Sequence, residues 1–223
     1  MVKPMSANSF FTIIFQLVVL LFSVILHEIS HGAMALYLGD ETAKRQGRLT
    51  FNPLKHLDPF GSIILPLILA IPIFLGGKSI IVGWAKPVPY NPYNLKNPRR
   101  DAALIGAAGP LANLATAVIF TLLLHLPLAA GNQPLVMAFS IIVLLNLLLA
   151  VFNLFPIPPL DGSKILFALI PQKAQRLEKI LEANSLLLIL AFIIFALPLL
   201  QTIVFLLFNL LLWLAGIKSN LLL

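Results

Sequence analysis

The chain has 223 residues, of which 60% are apolar and 10% charged, and its mean hydropathy is +1.00. An ordinary soluble domain carries ~25% charged residues, and a soluble monomer of this length could not hide so much apolar surface. The composition therefore excludes disordered, collagen-like and disulfide-scaffold chains and most soluble enzymes, and it points to an all-α polytopic membrane protein. There is no cysteine, which removes iron–sulfur clusters and thiolate nucleophiles and leaves His, Asp, Glu and Asn as the possible metal ligands. The net charge of +7 is read as loops facing anionic lipid rather than as a nucleic-acid surface.

A membrane span needs ~20 apolar residues. Phe10–Leu38 supplies the first, apolar except for a polar stripe. Phe60–Trp84 follows, but Pro66, Pro72 and the pair Gly76–Gly77 interrupt it, and such residues break helices. Leu104–Leu126 and Leu135–Phe155 are two long spans joined by the short uncharged loop Pro127–Pro134. Ser185–Gly216 is long for one span and short for two, with Pro198 inside. It is either a kinked helix or a hairpin, and the hairpin is favoured. No cleavable signal peptide is expected, because the first span is too long and no small-residue cleavage site follows it. No internal repeat is visible. The chain reads as one membrane-embedded domain, 1–223, with a core over about 10–169 and a C-terminal helical extension over 170–223.

Basic residues are concentrated. Thirteen of the fifteen Lys and Arg lie in the loops Asp40–Asp58, Lys78–Asp101 and Pro159–Asn184, and only Lys3 and Lys218 fall elsewhere.

The first span contains His27-Glu28-Ile29-Ser30-His31. Two His at i and i+4 share one face of a helix, with Cβ atoms roughly 6 Å apart, so both rings can reach one Zn²⁺. Glu28 lies beside them and can polarise a metal-bound water. With four His and four Glu in the chain, chance yields about 0.001 such matches. The bland alternative is a pair of interfacial His and a Glu stabilising a polar cavity, but ionisable residues inside a membrane are expensive and point to function. Gln16, Ser23, His27, Ser30 and His31 fall along one side of the helix, which is expected to face the protein interior.

A catalytic zinc takes a third protein ligand and keeps a position open for water. Position 34 is Met, so an extended motif with a third His is absent, and the downstream Glu residues are poorly placed. The candidates are Asp58, Asp101 and Asp161. Asp161 ends the run Asn153-Leu-Phe-Pro-Ile-Pro-Pro-Leu-Asp161-Gly162. Its prolines unwind the end of a span, and irregular backbone at membrane depth is tolerated only when buried in protein or beside a cavity. An N-cap for the helix that follows would also explain Asp161. Beside a zinc-type pair short of one ligand, the ligand reading is preferred.

Three motifs, His27-Glu28-x-x-His31, Gly109-Pro110-x-x-Asn113 and Asn153-x-x-Pro156-x-Pro158-x-x-Asp161-Gly162, stand in this order over about Phe10–Leu169. Together they resemble the site-2 proteases, intramembrane zinc metalloproteases, and the segments beginning at Gly47 and Gly83 resemble a compact subgroup without PDZ or CBS domain. The resemblance implies zinc ligands at His27, His31 and Asp161, one zinc per chain, Glu28 as general base and a polar active-site role for Asn153. It also implies a transmembrane protein substrate and a part in regulated proteolysis. Asn113 and Asn146 are read more plainly, as amides bonding neighbouring helices. Gly106 and Gly109 are expected to allow close helix approach, His56 to be a loop residue, His125 to be interfacial, and Trp84 and Tyr90 to fit an aromatic belt.

For His31 and Asp161 to hold one metal, the first and third long spans must end on the same side. The three basic loops then share one face, which the distribution of charge makes cytoplasmic, with the N-terminus outside. This requires Phe60–Trp84 to enter the membrane and return. The expected function is peptide-bond hydrolysis within the membrane. The segment Arg48–Asn52 is a candidate for pairing with an unwound substrate. The alternatives are a catalytically silent membrane binding protein of the same fold, against which Glu28 argues, and a metal or proton transporter, against which the lack of a repeat argues.

Overall fold

The computed structural model describes residues 7–64, 67–68, 85–127, 131–171 and 175–216. Among them the regular structure is helical, with no β-strand. The principal helices are α1 (Ala7–Tyr37), α2 (Pro98–Leu123), α3 (Gln133–Leu154), α4 (Asp161–Leu169), α5 (Gln175–Ala183) and α6 (Ser185–Leu214). Four of these, α1, α2, α3 and α6, are long and apolar enough to cross a membrane. The chain is thus an all-α polytopic membrane protein. The expected re-entrant segment lies, from residue 65 to 84 save Leu67 and Ile68, outside the described residues.

α2 is the central helix, packing against α1, α3 and α4. Its buried face reads Ile105, Gly106, Ala108, Gly109, Pro110, Asn113 and Ala117, small enough for neighbouring backbones to come close. At its start Pro98 supplies a preset φ, and Asp101 Oδ2 accepts the Asn97 N–H at 2.9 Å. A buried carboxylate in the first turn also complements the helix dipole.

α3 starts on Asn132, whose side chain accepts the Leu135 N–H, and stops where Pro156, Pro158 and Pro159 forbid its continuation. The chain turns there into α4. At Gly162 an added Cβ would collide with the carbonyl oxygens of Leu154 and Phe155, so only glycine lets α4 begin against the end of α3.

α6 corrects the favoured hairpin. Ser185–Leu214 is one helix of 30 residues with Pro198 inside it, about 45 Å long at 1.5 Å per residue. A reversal inside hydrocarbon would leave backbone groups unpaired, and the segment has no glycine to build one. The helix is held by a stripe at four-residue spacing, Leu200, Val204, Phe208 and Leu212, which packs with Ala117 of α2 and Val143, Leu147 and Val151 of α3. Rows of that spacing interlock as ridges in grooves.

On α1 the buried positions Ser23, His27, His31 and Ala35 also recur every four residues. Gln16 departs from the expected interior face and is exposed. Beyond α1, Asp40 is fully buried and binds the returning chain. It accepts the Asn91 N–H and the Asn94 amide, each at 2.7 Å, and the Thr42 hydroxyl at 2.6 Å. Farther on, the Lys86 N–H donates to His56 O at 2.8 Å, and buried Arg48 donates to the carbonyls of Lys86 and Pro87. The stretches 40–56 and 86–94 are therefore fastened to each other.

Candidate metal centre

α1 brings His27 and His31 to one face, as the i, i+4 spacing requires, and their rings meet edge to face with centroids 4.6 Å apart. The start of α4 delivers Asp161 to the same point. Its Oδ2 lies 3.1 Å from Nε2 of His27 and 3.1 Å from Nε2 of His31. All three residues are buried, and one ligand atom from each lies within 4.8 Å of the others. Asp58 and Asp101 do not join them. Asp58 accepts the Gly61 N–H and Asp101 serves the start of α2.

The glycines of α2 make room for this grouping. A Cβ on Gly109 would stand 2.6 Å from ring atoms of both His27 and His31. The imidazoles therefore rest on bare helix backbone. Gly106 plays the same part for α4, since a Cβ there would lie 3.0 Å from Asp161 O.

The outward nitrogens of the two rings have defined partners. His31 Nδ1 lies 2.6 Å from Ile105 O, and His27 Nδ1 lies 2.6 Å from Asn113 Oδ1. A carbonyl oxygen only accepts, so both Nδ1 atoms carry the proton. The amide of Asn113 is oriented in turn. Its Nδ2 donates to Ser23 O at 3.3 Å and to Asn146 Oδ1 at 2.9 Å, while Asn146 Nδ2 donates to Ser23 Oγ at 2.9 Å and to Ile142 O. A run of oriented amides thus links α1, α2 and α3 and ends on His27.

With Nδ1 protonated, each neutral ring turns a bare Nε2 lone pair inward, where the Asp161 carboxylate also offers only lone pairs. Three buried acceptors converge with no donor hydrogen among them, an arrangement that a cation satisfies. Two imidazole nitrogens and one carboxylate oxygen are a donor set suited to zinc, with a position left for water. The pairing of each ring N–H with a carbonyl is the usual support of a histidine ligand.

Glu28 is half-buried and stands apart from these three atoms. Its Oε2 accepts the Val88 N–H at 2.7 Å, so the segment following Ala85 is drawn against the site. Pro87 and Pro89 flank Val88 and fix its extended course. Asn153 is not part of the cluster. Its amide donates to Leu149 O in its own helix at 2.9 Å. His56 is a buried loop residue whose Nε2 meets Thr50 O. Asn113 corrects the plainer reading. It does bond neighbouring helices, but one of its partners is a candidate ligand. The signal for this was its place one turn beyond Gly109, on the face that the rings touch.

The family model for peptidase family M50 matches residues 15–131 and 128–197 of the chain. The "Putative zinc metalloprotease YwhC" of Bacillus subtilis (strain 168) is 41% identical over 192 residues, 83% of this chain and 81% of that protein. The "Putative zinc metalloprotease Rip2" of Mycolicibacterium smegmatis is 37% identical over 145 residues, 64% of this chain and 52% of its own length. Its counterpart of the same name in Mycobacterium tuberculosis (strain ATCC 25618 / H37Rv) is 31% identical over 156 residues, 70% of this chain and 57% of its own length. No solved structure matches the chain.

Proposed function

We propose, for a chain that belongs to peptidase family M50, the site-2 proteases, that it is an intramembrane zinc metalloprotease hydrolysing peptide bonds of membrane-embedded protein substrates. The observation that carries this is the meeting of three buried lone-pair donors, His27 Nε2, His31 Nε2 and Asp161 Oδ2, with both rings held as the Nδ1–H tautomer. These three residues would hold one zinc. When bound, zinc supplies a Lewis acid and lowers the pKa of a bound water toward about 7.

The rest of the chemistry belongs to the chain. Glu28 takes a proton from the attacking water and later gives it to the leaving amine. The Val88 N–H holds Oε2 and so fixes the plane of the carboxylate, while Oε1 has no bond among the described residues. Burial of the site excludes bulk water and strengthens the electrostatics within it. Asn153, half-buried one residue before the end of α3, is assigned to holding substrate backbone. The basic loops are assigned to the cytoplasmic face and the N-terminus to the outside. The chain acts as a single membrane-embedded unit, and its substrates are transmembrane proteins cut in regulated proteolysis.

Two variants test this on the purified protein with a single-span model substrate whose products are identified by mass. Glu28→Gln keeps both His and cannot act as a base, so zinc stays bound and cleavage is lost. Asp161→Ala removes a ligand, so zinc is lost as well. Full cleavage by Glu28→Gln would sink the mechanism, and undiminished zinc in Asp161→Ala would return Asp161 to a helix-start role.

A further inference from the structure

The carboxylate of Asp161 is divided between two duties. Oδ2 faces both His Nε2 atoms, while Oδ1 accepts a hydrogen bond from Lys164 Nζ at 2.9 Å. Lys164 stands three residues farther along α4, on the same face of the helix.

The lysine is guided to this position by its surroundings. Its stem crosses α2 at Gly106, where an added Cβ would come within 3.1 Å of both Lys164 Cβ and Cδ. Nζ lies 5.9 Å from the centroid of the Tyr90 ring, at the long end of a cation–π contact. The side chain is 31% exposed and borders a cavity of about 480 Å³ that Tyr90, Arg99 and Phe167 also line, so the ammonium keeps water on its outer side.

We infer that Lys164 is a positioning residue that makes Asp161 a ligand through one oxygen only. This rests on the metal-centre reading above. A free carboxylate can turn both oxygens toward a metal and take up two positions. With Oδ1 engaged by a charged donor, a bond about twice as strong as a neutral one, only Oδ2 remains for the metal. A four-coordinate zinc held by these three residues would then keep one position for water. A ring N–H is oriented by an acceptor, whereas an ionised carboxylate only accepts and must be oriented by a donor. Lys164 does for Asp161 what Ile105 O and Asn113 Oδ1 do for the histidines.

Cobalt(II) in place of zinc reads coordination number directly, because four-coordinate cobalt absorbs visible light more strongly than five-coordinate cobalt. The experiment uses the full chain in detergent, loaded with cobalt and scanned at equal metal content. The expected result is an intense four-coordinate band for the unaltered protein and for Lys164→Arg, and a weakened five-coordinate band for Lys164→Met. Lys164→Gln, which offers only a neutral donor on a stem one bond shorter, gives the test if Lys164→Met does not fold, with a weakened band expected. A Lys164→Met or Lys164→Gln spectrum identical to the unaltered one would overturn the inference. So would loss of cobalt from Lys164→Met in a folded protein, which would make the lysine a general support of the site. An unaltered protein that takes up no cobalt would overturn the metal-centre reading itself, and that result is seen before any lysine variant is made.

Discussion

At Asn113 one side chain settles the state of another. Its carbonyl oxygen compels His27 to carry its proton on Nδ1, and its amide is kept from flipping by Ser23 O and Asn146 Oδ1. Asn113→Ala is therefore expected to weaken zinc binding by about 10–100-fold, the usual effect of removing a partner behind a ligand, as measured by competition with a chelator. Unchanged affinity would show that the ring holds its tautomer without help. The two His were legible in the sequence because the helical repeat alone places them together. Asp161 was legible because it closes a run of prolines at the end of a span. Asn113 was not, since an asparagine in a membrane helix bonds some neighbour in any case, and only the packed position of α2 says which one. Asn153 shows the converse, for its motif is plain in the sequence while its amide turns to Leu149 O.

Among the elements, the long spans were legible from length and hydropathy alone, and their packing was not. α6 follows from its four-residue stripe of Leu200, Val204, Phe208 and Leu212, a row that buried Phe192 on the other side of Pro198 shares at the same spacing, which argues against a turn once the partner helices are known. Gln16 is polar on the expected face yet exposed, because periodicity gives the direction of a side chain and not the extent of the surface opposite it. The connection beyond α1 depends on Asp40. Burial alone would raise its pKa, but hydrogen bonds from Thr42, Asn94 and the Asn91 N–H outweigh burial and hold it below the ordinary 3.8. A depressed value means that the charged form stabilises the fold. That contribution is fully present above the ordinary value and is lost as pH falls through the lower, folded one. Asp40→Asn leaves at least one buried donor without its acceptor, a loss of about 1–3 kcal/mol. Thermal unfolding at neutral pH should show the variant less stable, with the gap closing once the pH is well below 4. A gap that stays constant with pH would remove the carboxylate's charge from the account.

For the whole molecule the bonds between 40–56 and 86–94 matter most, since they join stretches far apart in sequence. Lys86 N–H to His56 O, Arg48 to Lys86 O and Pro87 O, and Asp40 to Asn91 and Asn94 bring both flanks of the 57–85 segment to one place. Single cysteines introduced as Lys55→Cys and Lys96→Cys, both at exposed positions in a chain without native cysteine, should therefore react with an impermeant reagent from the same side of the membrane. Reaction from opposite sides would separate the two flanks and undo the shared face. The fastening also limits which orientations the folded molecule can take. Lys44, Arg45, Arg48 and Lys55 on one flank and Lys86, Lys96, Arg99 and Arg100 on the other cannot choose sides independently. They cast a single ballot, so reversing the molecule would require outvoting the whole block, and moving one lysine from loop to loop within it changes nothing in the count.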